Sequence, residues 1–525
     1  MKKFLPLFLI VLLTFTACNP TRITLNPSGL PPQSTATEDD EHYETDDYMA
    51  YAVVELPQAS PLFEDDGVLR LSMRHPLTLN PLLNQDATVA RVLRLIFEPL
   101  ITLDENFRPT SHLAEIEFAS DFSSVMLEIR SDAFWSDGTP VTADDIIFSV
   151  NTLRSAPIGA VYRQNVENIY DITRLGTRSV QLHFANVTVY AASALNFPVI
   201  PQHHFRQQAN SMTPIGNGAF KFDGYTPMRH IRLVQNPYTF RQRSQITEIE
   251  VIFLPDAQTE LYAFDQGRID ALHLPLTEWA RHHSVRHITH EIFPAMYFEF
   301  VGFNFDNEIF HNIQVRRGVS HAFNACQVVS DVYLNHAVRA ASPIHPYYWA
   351  AHEATGIAYD PARARELLNV LELYYPLVII VNDCNPQRVS IANRLAQSLV
   401  AVGQPARVES VHYTEYFARL ESGDFDLFIG GVNLDFAPNV QFLFGGGFYI
   451  EDTLLEVMWN GISQAFSEAA YMQALEHFGQ SFADRLPVIG LAFRHSAMLT
   501  NGRFVQAGAP SPDNVLGGVN KWARP

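Results

Sequence analysis

The feature that most constrains the fold is an alternation of strand-like and helix-like segments that begins near Gly67 and continues along the chain. Residues 68–73 have the composition of a strand. Asp86 precedes an apolar pattern at helical spacing, and Thr142 stands three residues before Asp145, which is a capping box at the start of a helix. Strands and helices mixed in this way predict an α/β fold rather than an all-α or all-β fold.

The same reasoning gives further local predictions. Strands are expected at 125–130, 248–254, 377–381 and 425–429, and helices at 257–266, 361–371 and 389–402. A single helix is predicted from an apolar stripe at helical spacing, formed by Val315, Val319, Ala322, Cys326 and Val329. Cys326 lies on that stripe and is therefore expected to be a buried thiol. The sequence does not decide whether Cys326 and Cys384 form a disulfide.

Composition limits the class of protein. The 525 residues include 56 acidic and 36 basic side chains, so the net charge is −20. This balance argues against nucleic-acid binding, because no basic surface is available to neutralise phosphates. The apolar fraction of 47 % allows a large core, and three cysteines are too few for a disulfide scaffold. At roughly 150 residues per domain, the length allows two to four domains.

The N-terminus has the layout of an export signal. Lys2 and Lys3 precede the apolar run 4–15, which is shorter than the roughly 20 residues that a membrane span needs. Residues 1–17 are therefore predicted to be a signal peptide. Cys18 follows small residues, as in a bacterial lipobox, although Phe15 stands where that pattern usually has Leu. This resemblance implies that Cys18 is acylated and anchors the mature protein to the lipid bilayer on its extracytoplasmic face.

Residues 18–66 differ in composition from the rest of the chain. They are rich in Pro, Ser, Thr and acidic residues, and they cannot bury enough apolar surface to offset the entropy of ordering. This segment is predicted to be a flexible tether between the lipid anchor and the folded body.

Several motifs resemble one family. The strongest is 134–145, which reads FWSDGTPVTADD. Others are 79–82 (LNPL), 97–100 (FEPL), 214–220 (PIGNGAF), 267–270 (GRID), 302–304 (GFN), 315–319 (VRRGV) and 359–361 (YDP). Together they resemble the extracellular solute-binding proteins of family 5, the peptide/nickel class that serves ABC importers. Most of these motifs form turns, caps and packing contacts, so they indicate the fold better than the ligand.

The resemblance implies a two-lobed periplasmic-binding-protein type II fold with an extra subdomain on the first lobe. Lobe 1 is expected at 67–298, with the extra subdomain near 97–207, and lobe 2 at 299–486. Residues 487–525 are expected to return to lobe 1. In the family, two strands form the hinge and the ligand is enclosed between the lobes. The resemblance also implies an ABC permease as partner, a monomer, no cofactor and no catalysis.

The expected ligand site is Gly431, Val432, Asn433 and Asp435. The peptide binders of this family carry G-W-x-x-D here, and the resemblance implies that Asp435 binds a ligand ammonium group. Val432 stands in place of the family's Trp. The backbone of the preceding residues could hydrogen-bond an extended peptide. Alternatively, Asp435 is only a turn or helix-capping acid before Pro438. No counterpart of the cations that hold a peptide C-terminus is evident.

Other functions stay open at this point. A nickel or other metal complex is the main alternative ligand. His282, His283, His287 and His290 cluster in sequence, but their spacing fits no tight metal site and favours a solvated loop. A peptide-sensing receptor without transport would share the same fold, and permease and ATPase genes beside this one would argue against it. A secreted hydrolase is disfavoured, because no nucleophile–base pair, GxSxG or Walker motif is present.

Overall fold

The computed structural model describes most of the chain beyond the predicted tether. It covers residues 66–524, apart from 187–188, 190, 275–286, 370–374, 437–439, 441–452, 466, 506–507 and 509. The predicted signal peptide, Cys18 and residues 18–65 of the predicted tether lie outside the described residues, as do His282 and His283.

Seventeen strands are present in the described residues. In chain order they are β1 (Val68–Met73), β2 (Ile101–Leu103), β3 (Pro109–Ser111), β4 (Ala114–Phe118), β5 (Ser124–Ile129), β6 (Ile169–Arg174), β7 (Ser179–Phe184), β8 (Phe220–Thr226), β9 (His230–Gln235), β10 (Glu248–Phe253), β11 (Ala271–Leu274), β12 (Thr289–Phe303), β13 (Ala337–Arg339), β14 (Leu377–Asn382), β15 (Ala406–Val411), β16 (Leu427–Asn433) and β17 (Val488–Thr500).

The described α-helices alternate with these strands. They are α1 (Ala87–Leu93), α2 (Ala143–Arg154), α3 (Gln202–Phe205), α4 (Ala257–Asp265), α5 (Ile313–Ala322), α6 (Ala325–Asp331), α7 (Pro361–Asn369), α8 (Pro386–Ala401), α9 (Tyr413–Ser422), α10 (Thr453–Ile462) and α11 (Glu468–Arg485).

The strands form four sheets. One has the order β1-β10-β9-β8, and a second, β4-β5-β7-β6, lies within the predicted extra subdomain. The largest has the order β11-β17-β12-β16-β14-β15, with β13 paired to β17, and β2 and β3 form a small ribbon. The predicted α/β class is therefore confirmed, because parallel and antiparallel strands alternate with helices throughout the described body.

Two long antiparallel strands, β12 and β17, connect different parts of the largest sheet. Residues 289–292 of β12 lie beside the end of β17 that also pairs with β11. Residues 298–302 lie between β17 and β16. The pairing register shifts between Pro294 and Phe298, where the regular ladder is interrupted. An interruption of this kind locally bends and twists a strand pair.

The predicted helix caps are confirmed. The Asp86 carboxylate accepts hydrogen bonds from the Thr88 and Val89 amides and begins α1. Thr142 and Asp145 form the capping box of α2, with the Thr142 amide donating to the Asp145 carboxylate at 2.9 Å. These bonds satisfy amide groups that a helix leaves free at its N-terminus. The strand predicted at 68–73 is also found with those bounds.

The single helix predicted from the apolar stripe is wrong. The chain leaves the helical conformation at Phe323, and the Asn324 side chain then caps a separate helix, α6. This break rotates the second half of the stripe, so that Val328 is buried while Cys326 is exposed. The prediction of a buried Cys326 thiol is therefore also wrong. Cys326 and Cys384 are not joined by a disulfide.

Two other elements differ from their predicted bounds in ways that matter for the site. Helix α8 begins at Pro386 rather than at 389, because the Asn385 side chain accepts from the Arg388 amide and caps the extra turn. Strand β16 continues through Gly430 and Gly431 to Asn433 instead of ending at 429. Pairing with β12 holds these two glycines in the extended conformation.

Three clusters of buried apolar side chains hold the described body together. The largest joins the sheets formed by β1 and β5 to the middle of the largest sheet. A second surrounds β14, α5 and α8, and a small third one lies under α4 and β11. The lobe and subdomain boundaries stay a prediction. The expected division at 298/299 falls inside β12, and that at 486/487 falls just before β17. No helix among the described residues is long and apolar enough to span a bilayer.

The turn at 214–220 packs closely against Ile96, and this contact can be tested by substitution. A Cβ atom added at Gly216 would lie 2.1 Å from the Ile96 carbonyl oxygen, whereas one at Gly461 in α10 would meet nothing within 4 Å. We expect Gly216→Ala to lower the free energy of unfolding by roughly 2 kcal/mol or more, because the backbone at Ile96 or at residue 216 must move to make room for the added methyl group. Gly461→Ala, on an exposed helical position, should raise it by about 0.5–1 kcal/mol. Urea unfolding of both variants measures this, and equal effects would contradict the close approach.

Candidate ligand-binding site

Strand β16 has a main-chain edge that is only partly occupied by another strand. On one side, Leu427–Asn433 pairs antiparallel with β12 along its whole length. On the other side, β14 pairs only with Leu427 and Phe428. Within the described part of the chain, residues 430–433 therefore have no strand partner on that edge. Backbone N–H and C=O groups at an open edge can hydrogen-bond an added extended chain.

The predicted ligand residues lie on both faces of this strand. Val432 and Leu434 are buried in the largest apolar cluster, whereas Asn433 and Asp435 are exposed. Because successive residues of a strand point to opposite faces, Gly431 shares the face of Asn433. The Val432 side chain, expected at the position of the family's Trp, thus belongs to the core, and only its main chain is available to a ligand.

Asp435 lies in an acidic environment. Its side chain is exposed, yet the surrounding protein atoms desolvate it enough to raise its pKa, and the carboxylate of Glu167 raises that pKa further. Glu167 directly follows a short 3-10 helix in the predicted extra subdomain. A cation at Asp435 would oppose both effects on the pKa, because an opposite charge favours the ionised carboxylate.

Three charged side chains lie beneath β16. The fully buried carboxylate of Glu299 accepts from Arg388 Nε at 2.9 Å, and Arg494 Nε lies 3.1 Å from its other oxygen. Arg388 also donates to the Tyr297 hydroxyl at 3.1 Å. Burial opposes the charge of Arg388, but Glu299 outweighs it, and the pKa of Arg388 is raised well above its usual value. We call Glu299, Arg388, Arg494 and Tyr297 the charge cluster.

The charge cluster is in direct contact with the candidate ligand strand. Glu299 is paired with Gly431 and Tyr297 with Asn433. A Cβ atom on Gly431 would lie 2.3 Å from Arg388 Nη2, so only glycine leaves room for the guanidinium here. The Tyr297 hydroxyl also donates to the Gly431 carbonyl at 3.3 Å. The packing at Gly431 therefore determines the position of β16 relative to the charge cluster.

A loop from the predicted extra subdomain reaches the second half of the chain beside this site. The Trp349 amide donates to the Asn106 carbonyl at 2.8 Å. The Arg108 guanidinium lies 4.4 Å from the centre of the Trp349 ring and pairs with Glu468 at 3.0 Å. Since 106–108 and 349–468 belong to different predicted lobes, we call these contacts, together with those of Phe107, the interlobe contact.

Phe107 is the buried centre of the interlobe contact. Its ring lies 5.2 Å from His345 and 5.9 Å from Phe436, which directly follows Asp435. Its backbone has a φ of 61°, a left-handed conformation that is costly for a residue with a Cβ atom. Such a conformation persists only where the surrounding contacts outweigh its cost. The packing of Phe107 across the two halves supplies those contacts.

His345 is buried on the other side of the same ring. Its Nδ1 accepts from the Tyr347 amide at 3.1 Å, and its ring lies 4.5 Å from Phe493. Its Nε2 has no hydrogen-bond partner among the described residues. Burial lowers the pKa of His345 to about 3, with His495 contributing, so the ring is neutral in the folded protein.

The predicted metal alternatives find no support in the described residues. In this part of the chain, no group of three or more His, Cys, Asp or Glu side chains is arranged to hold a metal ion. Of the four clustered histidines, only His287 and His290 are described.

Sequence reasoning missed the charge cluster. Arg388 lies just before the predicted start of α8 at 389, so it was not assigned to that helix. Arg494 lies in the middle of the apolar strand β17. One signal was available. Glu299 stands between Phe298 and Phe300, and a lone acid in an apolar strand requires a buried partner.

Comparisons with known proteins agree with this architecture. Residues 108–447 match the model of a family described as "Bacterial extracellular solute-binding proteins, family 5 Middle". The match covers more than half of the chain. This chain belongs to family 5 of the bacterial extracellular solute-binding proteins. The resemblance predicted from the motifs and the two-lobed fold are confirmed, and the chain is a substrate-binding protein.

Individual family 5 relatives are distant in sequence. The chain is 20 % identical over 492 residues to the oligopeptide-binding protein AppA of Bacillus subtilis, covering 86 % of this chain and 90 % of that protein. The structure of that AppA with a nonapeptide has a TM-score of 0.65 at 18 % identity, covering 87 % and 98 % of the two chains. NikZ of Campylobacter jejuni with Ni(L-His) has a TM-score of 0.70 at 18 % identity, covering 87 % and 99 %.

The buried histidine of this family 5 protein predicts a pH dependence. The folded-state pKa of His345 is lowered from 6.5 to about 3, so its contribution to stability is present above pH 6.5 and is lost as pH falls toward 3. At pH 5 the loss is about 2 kcal/mol, at 1.36 kcal/mol per pH unit. We expect His345→Gln to reduce the fall in unfolding free energy between pH 7 and pH 5 by that amount.

The matched control is His352→Gln, since that imidazole is 62 % exposed. It should leave the pH dependence of the wild type unchanged. Urea unfolding at both pH values measures the difference, and an identical slope for wild type and His345→Gln would contradict the buried neutral histidine.

Proposed function

We propose that this protein captures peptides outside the cytoplasmic membrane for an ABC importer and catalyses no reaction. The observation that carries the proposal is the open edge of β16 next to the Asp435 carboxylate. The edge offers main-chain hydrogen bonds that any peptide can use, and Asp435 offers a partner for its N-terminal ammonium. Main-chain binding of this kind is tolerant of ligand sequence.

Closure of two lobes over the ligand is part of this proposal. The lobes are those predicted at 67–298 with 487–525 and at 299–486, with β12 and β17 as the connecting strands. The interruption of their ladder between Pro294 and Phe298 gives these strands a point at which they can bend. A ligand stabilises the closed form only to the extent that it binds that form better than the open one. The interlobe contact adds to the closed form.

The remaining parts of the proposal rest on the sequence and the family. The partner is an ABC permease in the same membrane, and the protein acts as a monomer. Acylated Cys18 holds it on the extracytoplasmic face, with residues 18–66 as the tether. AppA, an oligopeptide-binding relative that aligns over most of this chain, supports peptides as the ligand class.

A metal complex is the second candidate ligand. The observation in its favour is the similarity to NikZ, whose structure holds Ni(L-His). The described residues offer no three-ligand metal site, so a complex would have to be recognised through its organic groups. Binding of Ni(L-His) measured beside binding of peptides decides between the two.

Substitution of Asp435 tests the ammonium role. We expect Asp435→Asn to weaken peptide binding by tenfold or more, because a charge-assisted hydrogen bond in an enclosed cleft is replaced by a neutral one. Isothermal titration with an equimolar tripeptide mixture measures it, with N-acetylated peptides as the second ligand. Asp306→Asn, an exposed acid elsewhere in the same half of the chain, is the control. Unchanged affinity in Asp435→Asn would contradict the role.

Substitution of Phe107 tests closure. We expect Phe107→Ala to reduce the ligand-induced decrease in radius of gyration and to weaken peptide binding, because the buried centre of the interlobe contact is lost. Small-angle scattering with and without peptide measures the compaction. Tyr170→Ala, a 64 % exposed aromatic in the same predicted subdomain, should behave like the wild type. A full ligand-induced compaction in Phe107→Ala would argue against this contact as part of closure.

A further inference from the structure

A buried imidazole lies where the two predicted lobes meet. His345 is 2 % exposed, and its Nδ1 accepts from the Tyr347 amide at 3.1 Å. In the neutral ring the proton therefore lies on Nε2, and this nitrogen has no hydrogen-bond partner within the described part of the chain. A buried polar group without a partner costs free energy, so its retention in the interlobe contact calls for an explanation.

Three aromatic rings replace water around His345. The distances between ring centres are 4.5 Å to Phe493, 5.2 Å to Phe107 and 5.3 Å to Tyr347. None of these side chains carries a negative charge that could stabilise a protonated imidazole. Phe107 comes from the predicted extra subdomain, whereas Phe493 lies in the connecting strand β17 and Tyr347 in the same segment as His345. Separation of the lobes would therefore withdraw Phe107 and admit water to the ring.

A second histidine acts on His345 from the connecting strand β17. His495 contributes to the lowered pKa of His345, and its own pKa is lowered by burial and by His336. His495 is paired with Pro294 of β12, where the interruption of the β12–β17 ladder begins. Arg494, the preceding residue, points to the opposite face of the strand. The two histidines His345 and His495 therefore connect the interlobe contact to the point at which the connecting strands can bend.

Charges on the other elements of the contact do not compensate a proton on His345. Among the described residues, no carboxylate shifts the pKa of His345. Arg108 is paired with Glu468 at 3.0 Å, so that ion pair is already balanced. Asp435 has another acid, Glu167, in its surroundings. A protonated His345 would therefore be a buried charge without a partner, which is costly.

Opening of the contact changes the proton affinity of His345. In the closed arrangement, burial and His495 lower its pKa from 6.5 to about 3. Where water reaches the ring, the pKa returns toward 6.5, so below that pH the open form takes up a proton that the closed form does not bind. The neutral ring therefore favours closure above pH 6.5, and this contribution is lost as pH falls toward 3. An open-form pKa of about 5.5–6.5 makes closure roughly 4- to 25-fold less favourable at pH 5 than at pH 7.

We propose that His345 makes ligand capture pH-dependent, so that the protein releases its ligand when the medium becomes acidic. This inference rests on the proposed function, because release follows only if closure of the lobes holds the ligand. Protonation stabilises the open form, so it lowers affinity without requiring a contact between His345 and the ligand. The effect is therefore the same for a peptide and for a metal complex.

The experiment measures binding of an equimolar tripeptide mixture by isothermal titration at pH 7 and pH 5, on the full-length protein purified in detergent. We expect the wild-type Kd to rise about 4- to 25-fold from pH 7 to pH 5. His345→Gln should reduce this ratio to about twofold or less, because the buried side chain no longer titrates. His345→Asn is a second neutral replacement. His352→Gln, which removes a 62 % exposed imidazole, is the control and should keep the wild-type ratio.

Proton counting provides a second readout. Titrations at pH 5.5 in two buffers of different ionisation enthalpy give the number of protons released per bound peptide. We expect the wild type to release about 0.5–0.9 proton more than His345→Gln, because closure requires His345 to be neutral. Asp435 is present in both proteins, so its own titration cancels in the difference.

The outcomes separate this inference from the proposed function. If the wild type binds equally at pH 7 and pH 5, or if the neutral variants keep the wild-type ratio and proton count, the pH device is overturned while ligand binding stands. A wild-type release of fewer than about 0.3 protons at pH 5.5 also overturns it, whether or not the variants fold. If neither the peptides nor Ni(L-His) bind at pH 7, the proposed function fails and this inference fails with it.

Discussion

The ion pairs of Glu299 are the interaction on which the site depends. Glu299 has no exposed surface and lies where β12 runs between β16 and β17. Its carboxylate joins β12 to β17 through Arg494 and to the first turn of α8 through Arg388. Loss of one partner of a buried pair typically costs about 3–5 kcal/mol, because the remaining charge stays buried. The same pairs place the Arg388 guanidinium against Gly431, so that only glycine fits at this position of β16.

The candidate site joins a general and a specific means of recognition. In the proposed function, the open edge of β16 supplies backbone groups that do not depend on ligand side chains, whereas the Asp435 carboxylate selects a ligand that carries an ammonium group. Such a division suits a protein that collects many peptides of similar form.

In the proposed closure, the interlobe contact connects ligand recognition to a change of shape. Phe107 packs between His345 and Phe436, the residue that follows Asp435, and its left-handed backbone is held by contacts from the other half of the chain. The buried neutral His345 makes the same region sensitive to acid. The acid-sensitive His345 and Phe436, the residue next to Asp435, are therefore both neighbours of Phe107 in the structure, although the three are far apart in sequence.

The sequence by itself determined the family, the α/β class and most local elements, because these depend on nearby residues. The Asp86 cap, the Thr142–Asp145 capping box and β1 were predictable from a few adjacent side chains. It also pointed to 431–435, through resemblance. It failed at two elements. The apolar stripe splits at Phe323, where the Asn324 side chain caps a second helix, and Cys326 is left exposed. Pairing with the distant strand β12 extends β16 through two glycines. Only the tertiary structure brought Arg388 and Arg494 to Glu299, because ion pairing between residues 89 and more positions apart leaves no periodic signal in the chain.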